Sequence, residues 1–330
     1  MISAAVIGLG VGECHIAGFE ADRRCRVSAL CDVDEERLAD VGKRYPGRRM
    51  TTAANEILAD PAIDVVSIAS FDDDHYAQVM AALSHGKHVF VEKPICMHAN
   101  ELADIRVALA ANPKLRLSSN LILRRSPRFS RLREHVRNSE LGVPYYCEAD
   151  YNYGRIQKIV EGWRGRRQFY SVTHGGGIHL VDLIMWILGE KPVAVSAFGN
   201  AIATRGTQFK FNDCVAALLK FPSGAIAKIT ANFGCVFPHH HNLSVYGTKA
   251  TFVHDRLGAR LYTSRDPDAA ATPIEDAYVS PAKGDMLPVF VASILDGSAP
   301  DVTADEVMDA MEVSLAIEDA ARLEQTVKLR

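Results

Sequence analysis

The feature that most limits what this chain can fold into is an apolar run, Ala4 to Ile7, that ends in Gly8-Leu9-Gly10-Val11-Gly12 and passes at once into a stretch of helical spacing. A strand that turns into a helix through glycines can bring its backbone close to a pyrophosphate. The helix N-terminus adds amide donors and a partial positive charge. Gly8, Gly10 and Gly12 are therefore expected to cradle a dinucleotide, although the third glycine of G-x-G-x-x-G would stand at 13, where this chain has Glu13. Asp32 lies 24 positions after Gly8, at the end of the second expected strand. A carboxylate there accepts hydrogen bonds from both adenosine ribose hydroxyls and repels a 2'-phosphate, so NAD is expected in preference to NADP. Arg37, five residues on, either meets such a phosphate or stands as a solvated charge.

Beyond this turn the first third of the chain alternates β-rich apolar runs with helical stretches, which requires crossover connections and a parallel sheet covered on both faces. The expected strands are Ala4 to Ile7, Val27 to Cys31, Val65 to Ala69, His88 to Val91 and Leu115 to Ser118, with helices at Glu35 to Tyr45, Tyr76 to His85 and Ala99 to Ala111. After about residue 120 the rhythm changes. Pro127 to Asn138 reads as a helix, and strands follow at Tyr145 to Tyr153, Val193 to Phe198, Cys214 to Phe221, Ala225 to Asn232, Leu243 to Tyr246 and Thr251 to His254. Turn signals at Pro222-Ser223-Gly224 and Gly247-Thr248 make neighbours antiparallel. A helix at Gly177 to Leu188 is closed by Gly189, and a last one runs from Ala304 to Leu323 behind a Thr303 cap. The expectation is an α/β chain: a doubly wound Rossmann domain at 1–120, and at 121–330 a substrate-binding and oligomerisation domain with an open, mostly antiparallel sheet.

Composition narrows the partners. A net charge of -3 with 23% charged residues leaves no electrostatic footprint for nucleic acid or an anionic membrane. No apolar run approaches a bilayer span, and the opening residues lack the pattern of a signal peptide, so a cytoplasmic protein with a small-molecule partner is expected. The cysteines, 14, 25, 31, 96, 147, 214 and 235, never form C-x-x-C and read as reduced, mostly buried side chains.

Two longer motifs, Gly86-Lys-His-Val-Phe-Val-Glu-Lys-Pro94 and Gly175-Gly-Gly-Ile-His-Leu-Val-Asp-Leu183, stand in that order in the chain. With them the sequence resembles the glucose-fructose oxidoreductase and inositol dehydrogenase family (Gfo/Idh/MocA) nearly end to end. The resemblance implies hydride exchange between a nicotinamide and a secondary alcohol or ketone of a sugar, sugar derivative or cyclitol, a Lys-Pro bond that can be cis, and homo-oligomers, dimers or tetramers, built through the open sheet. It makes Lys93 and His179 the proton-handling residues. Bottom-up, Lys93 at a strand end near a cationic nicotinamide has reason to be neutral, and Glu92-Lys93 stand where doubly wound sheets bind their ligands. His179 and Asp182 share a helix face, so Asp182 can orient the imidazole or touch substrate. Polyol-specific members commonly carry Asp where this chain has Gly175, which shifts substrate contact toward His174.

The remaining candidates carry weaker signals. Asp72-Asp73-Asp74 reads as a helix cap, with contact from Asp72 or Ser70 to the nicotinamide ribose as the alternative. His75 resembles the family's cofactor-side loop, and Arg164 in Trp163-Arg164 is expected near the cofactor or in a basic loop. Tyr151 and Tyr153 line a substrate face or the core. Among His239, His240 and His241, consecutive residues do not converge on one ion, so no metal is expected, and His239 is assigned to a substrate loop. Two rival readings remain: an NAD-dependent glycosidase on the same fold, and a nucleotide-sensing protein without turnover.

Overall fold

The computed structural model describes residues 1–278 and 282–329 and divides into two compact units: 1–125 with 280–311, and 126–279 with 312–330. The first unit opens with β1 (Ile2–Ile7), α1 (Glu13–Glu20), β2 (Cys25–Cys31), α2 (Glu35–Arg44), β3 (Arg49–Thr51) and α3 (Ala54–Leu58). It continues with β4 (Val65–Ile68), α4 (His75–Ser84), β5 (His88–Val91), α5 (Ala99–Ala111) and β6 (Leu117–Ser119). The strands form a parallel sheet in the order β3-β2-β1-β4-β5-β6. This is the doubly wound order in which the chain reverses between β1 and β4, leaving a ligand crevice at their carboxyl ends. β4 is buried at every position and β1 along its last four, which is why these strands read as unbroken apolar runs. β3 and α3 were not expected from sequence: β3 is an edge strand with Arg49 and Met50 exposed, so no apolar run marks it.

The second unit contains α6 (Pro127–Arg137), β7 (Pro144–Asn152), α7 (Gln157–Val160), α8 (Ile178–Leu188), β8 (Ala194–Asn200), β9 (Cys214–Lys220) and β10 (Ile226–Asn232). β11 (His240–Gly247), β12 (Thr251–Asp255), β13 (Gly258–Tyr262) and β14 (Thr272–Ile274) complete its middle part. The sheet order is β14-β13-β12-β11-β7-β10-β9-β8, and only β7 with β10 runs parallel. α8 packs on β7 and β10 and buries one sheet face, so β7 alternates: Cys147, Ala149 and Tyr151 are buried and their neighbours are partly exposed. The two expected hairpin turns join antiparallel pairs, and Gly224 in the first has φ +91°. β13 and the edge strand β14 were missed because short strands with little burial lack the alternation of β7.

α9 (Leu287–Asp296) returns to the first unit, where Phe290 packs 5.5 Å from Phe90 of β5. The backbones of Gly18 and Gly284 meet there so closely that a Cβ on Gly18 would lie 2.4 Å from the Gly284 carbonyl oxygen. This return makes the units discontinuous where a single boundary near 120 was expected. The apolar run around Phe290 gave no helix expectation because its periodicity does not separate a buried strand from a buried helix. α10 (Ala304–Leu323) contains the division between the units, and β15 (Val327–Lys328) pairs with β8. The α10 cap is as expected: Glu306 N–H donates to Thr303 Oγ1 at 3.3 Å, and Thr303 N–H returns to Glu306 Oε2 at 2.8 Å. No described helix is long and apolar enough to cross a membrane. The cysteines are free, and burial pushes the Cys25, Cys96 and Cys147 thiols up to about 12.

Candidate active site

In the first unit the three glycines do different things. Gly8 has φ +86°, and a Cβ on it would stand 2.2 Å from the Ala69 carbonyl oxygen; one on Gly12 would stand 2.2 Å from that of Gly8. Both are demanded by the turn itself. Gly12 thus takes, one position early, the close-packing role that Glu13 could not fill. A Cβ on Gly10 would meet no protein atom within 4 Å, so its bareness answers no need of the fold and leaves exposed backbone open to a ligand. Under the loop, the buried Asp32 accepts the Leu9 N–H at 2.7 Å and the Asp34 N–H at 2.9 Å. Arg37 lies 3.7 Å from Asp32 and 3.5 Å from Asp34, a cation already flanked by two carboxylates. These residues fit the adenosine end of NAD.

The loops after β4 and β5 are locked to each other. His75 is buried, with Nδ1 2.6 Å from the Pro94 carbonyl oxygen and Nε2 3.2 Å from that of Ser70. Ser70 Oγ donates to Gln78 Oε1 at 2.8 Å. Their polar atoms therefore brace the loops, where direct cofactor contact was expected. The aspartates 72–74 form a 3₁₀ turn that runs into α4, with Asp74 at the cap position in helical backbone geometry. Lys93-Pro94 is cis. Glu92, also expected at the cofactor, turns its carboxylate into the unit: Asn120 Nδ2 donates to Oε1 at 2.7 Å, and Nε2 of fully buried His15 lies 3.5 Å away. Burial alone would raise the Glu92 pKa, but the His15 hydrogen bond and charge, with Lys93 and Asn120, hold it well below the usual carboxylate range.

In the second unit a π-helical turn, Thr173–Gly177, leads into α8 and places His179 in its first turn, with buried Asp182 one turn on. Single π-turns of this kind are rare and occur frequently at functional sites. Gly176 admits two rings: a Cβ there would lie 2.7 Å from Tyr151 Cε1 and 2.8 Å from Phe233 Cε2. A Cβ on Gly175 would lie 2.1 Å from Tyr170 Oη, so the phenol of Tyr170 fills the space that a carboxylate at 175 would need. Arg164 Nε donates to that phenol at 3.0 Å, and the guanidinium stacks 4.6 Å over Trp163. His174, expected at the substrate, is buried with Nδ1 2.8 Å from Ser314 Oγ of α10.

Around Tyr151 the rings form a shelf. Tyr151 stacks with His179 at 6.3 Å, Phe233 at 5.6 Å and Tyr153 at 6.1 Å, all within 20° of parallel. His239 and His241 approach Tyr151 edge-on at 5.4 and 4.8 Å. The three consecutive histidines enter a strand: His241 pairs across from Tyr151, whereas His240 packs against His254 at 4.9 Å and Tyr278 at 5.1 Å. His241, Phe233 and Tyr278 were missed. The alternation of buried Leu243 and Val245, extended back two residues, marks His241 as facing inward, and that signal was in the chain. Among the described residues no group of three or more His, Cys, Asp or Glu side chains is placed to hold a metal ion.

Residues 2–120 match the model of an oxidoreductase family with an NAD-binding Rossmann fold, and residues 129–253 match the GFO/IDH/MocA C-terminal domain. Over 98% of its length the chain is 24% identical to 97% of myo-inositol 2-dehydrogenase of Thermotoga maritima. Over 92% it is 23% identical to 91% of 1,5-anhydro-D-fructose reductase of Ensifer adhaerens. The solved scyllo-inositol dehydrogenase of Lactobacillus casei, with bound NAD(H) and scyllo-inositol, superposes with TM-score 0.82 over 99% of both chains at 20% identity, which shows a common fold. With the glycine turn over Asp32 in one unit and the His179 helix on an open sheet in the other, the chain belongs to the Gfo/Idh/MocA oxidoreductases.

Proposed function

We propose that this oxidoreductase is an NAD-dependent dehydrogenase acting on the secondary alcohol, or in reverse the ketone, of a sugar, sugar derivative or cyclitol. The observation that carries the reading is the shelf on which His179 stacks with Tyr151: a proton acceptor beside near-parallel rings suits a polyol ring, whose C–H face rests on aromatic carbon while its hydroxyls meet polar edges. The named relatives, myo-inositol 2-dehydrogenase and 1,5-anhydro-D-fructose reductase, act on such molecules.

NAD, held at Gly8, Gly10, Gly12 and Asp32, supplies the hydride acceptor. His179 takes the hydroxyl proton as the carbon loses its hydride, and buried Asp182, one turn along α8, keeps the imidazole oriented. Lys93, at the carboxyl end of β5 in the first unit, is the other proton-handling residue. Tyr151 and His239 contact the ring of the substrate. The cation at Arg164 serves the second unit through Tyr170.

The test is NADH formation from NAD with myo-inositol, scyllo-inositol, D-glucose and D-xylose, beside release of a chromogenic aglycone from nitrophenyl glycosides. Steady NADH formation that His179→Ala and Lys93→Met both abolish supports the reading. Aglycone release without net NADH identifies a glycosidase instead.

A further inference from the structure

His241 is more deeply buried than His179 or His239, the other two imidazoles beside Tyr151. Its ring stands 4.8 Å from Tyr151, 5.1 Å from His239 and 6.5 Å from His179. A buried imidazole needs its nitrogens accounted for, and here one is: Nδ1 lies 2.5 Å from the hydroxyl of Tyr278.

Tyr278 reaches this position from a braced segment. Arg128 of α6 donates from Nε to the Asp276 carbonyl oxygen at 2.9 Å, and its backbone N–H donates to that of Ala277 at 3.3 Å. The Tyr278 ring is wedged against His254 at 4.4 Å and Phe129 at 5.7 Å, with the Arg128 guanidinium 6.0 Å over it. That hydroxyl has Nδ1 as its hydrogen-bond partner, and the phenol, which keeps its proton, is assigned as the donor. A neutral imidazole that accepts at Nδ1 carries its hydrogen on Nε2. Burial pushes the Tyr278 phenol up to about 12, which keeps it a donor. Burial first, and then the neighbouring His179, His239, His240 and His254, hold His241 well below the ordinary imidazole range.

We propose that His241 is a further substrate-contacting residue, fixed by Tyr278 as an Nε2–H donor to an oxygen of the substrate next to the one whose proton His179 takes. The proposal rests on the dehydrogenase reading above. It divides the labour between two imidazoles: His179 changes protonation state in each turnover, while His241 keeps its hydrogen and discriminates between ligand oxygens by accepting none of their protons. Asp182 and the helix orient the first, a phenol on another segment the second.

The test compares the full chain with His241→Leu, His241→Gln and Tyr278→Phe, using whichever of the four polyols the wild type oxidises best. NADH affinity by nicotinamide fluorescence serves as the fold control. Expected are a roughly tenfold fall in kcat/KM for His241→Leu, carried by KM, recovery of most of it in His241→Gln, whose amide N–H can stand near Nε2, and a fall of about threefold in Tyr278→Phe. In Tyr278→Phe the acid limb of the kcat/KM profile should also move to higher pH, because an imidazole released from its donor protonates more readily. Nitrogen-15 spectra of labelled histidine should place the His241 hydrogen on Nε2 in the wild type and divide it between the Nδ1–H and Nε2–H tautomers in Tyr278→Phe. A His241→Leu enzyme within twofold of wild type overturns the proposal, as does His241→Gln failing as badly as the leucine variant. A wild type that oxidises no polyol overturns the dehydrogenase reading and the substrate role of His241 together.

Discussion

The glycine turn after β1 and the ring shelf beside α8 are built by opposite means. The turn uses backbone: the stretch from Gly8 to Gly12 and one carboxylate shape it, and two of its glycines are required by contacts with the carbonyl oxygens of Ala69 and Gly8. The shelf uses side chains from β7, α8, the residue after β10, the start of β11 and the segment at Tyr278, each delivered by a separate stretch of chain. A backbone device tolerates almost no substitution and little change of ligand. A side-chain device on a sheet face can be re-equipped one ring at a time, as Tyr170 shows by standing in the space a carboxylate at 175 would take.

The sharpest way to break this contrast is His179→Ala. It should lower kcat by about a thousandfold, the scale of a lost general base, and leave NADH affinity unchanged; a parallel loss of NADH binding in titrations means that the two devices are not separable. Gly12→Ala should do the reverse. Forcing a methyl group against the Gly8 carbonyl oxygen is expected to cost about 2 kcal/mol in denaturant melts and to weaken NADH binding, with residual turnover at saturating NAD.

The histidines of the second unit sharpen the comparison through pH. His254 is lowered from 6.5 to about 3, first by burial and then by His240 and Arg128. Between those values the unfolded chain binds a proton that the folded unit refuses, so its stabilising effect is complete above pH 6.5 and is lost as pH falls toward 3. His254→Gln should flatten the dependence of unfolding free energy on pH in that window by up to about 1.4 kcal/mol per pH unit. Urea melts across pH 4 to 7 measure it; an unchanged slope removes His254 from the account. Asp32→Ala is expected to weaken NADH binding about tenfold and to narrow its margin over NADPH, with Arg37 then released from one of its two carboxylates. The smallest effect is Ser70→Ala. Because its hydroxyl serves Gln78, NADH affinity should move by no more than about 0.5 kcal/mol, and a larger change in fluorescence titration restores Ser70 to the cofactor.

How far the sequence could be read followed the same division. The parallel strands were legible because burial on both faces makes each a continuous apolar run, and Asp32 was legible because its role depends on one strand and one turn. β3, β13 and β14, at or near sheet edges, have too little burial to leave a pattern. His174 and His75 were assigned to ligands because proximity in sequence to a motif was all that spoke for them; partners at Ser314, Ser70 and Pro94 give both rings internal duties. His241 was passed over although the alternation with Leu243 and Val245 marked it as facing inward; its partner Tyr278, 37 positions on, was not legible.

What the chain determined by itself, then, was whatever is settled within a few consecutive residues: the turn that needs glycine, the carboxylate at a strand end, the cap at Thr303, and the period of each buried strand. What only the tertiary structure decided was which of many polar side chains keep a free edge for a ligand, because a hydrogen bond to Ser314 or Gln78 depends on distances that the order of residues does not contain. It also decided that residues 280–311 belong with the first unit, since the close approach of Gly284 to Gly18 and of Phe290 to Phe90 joins segments more than 190 positions apart.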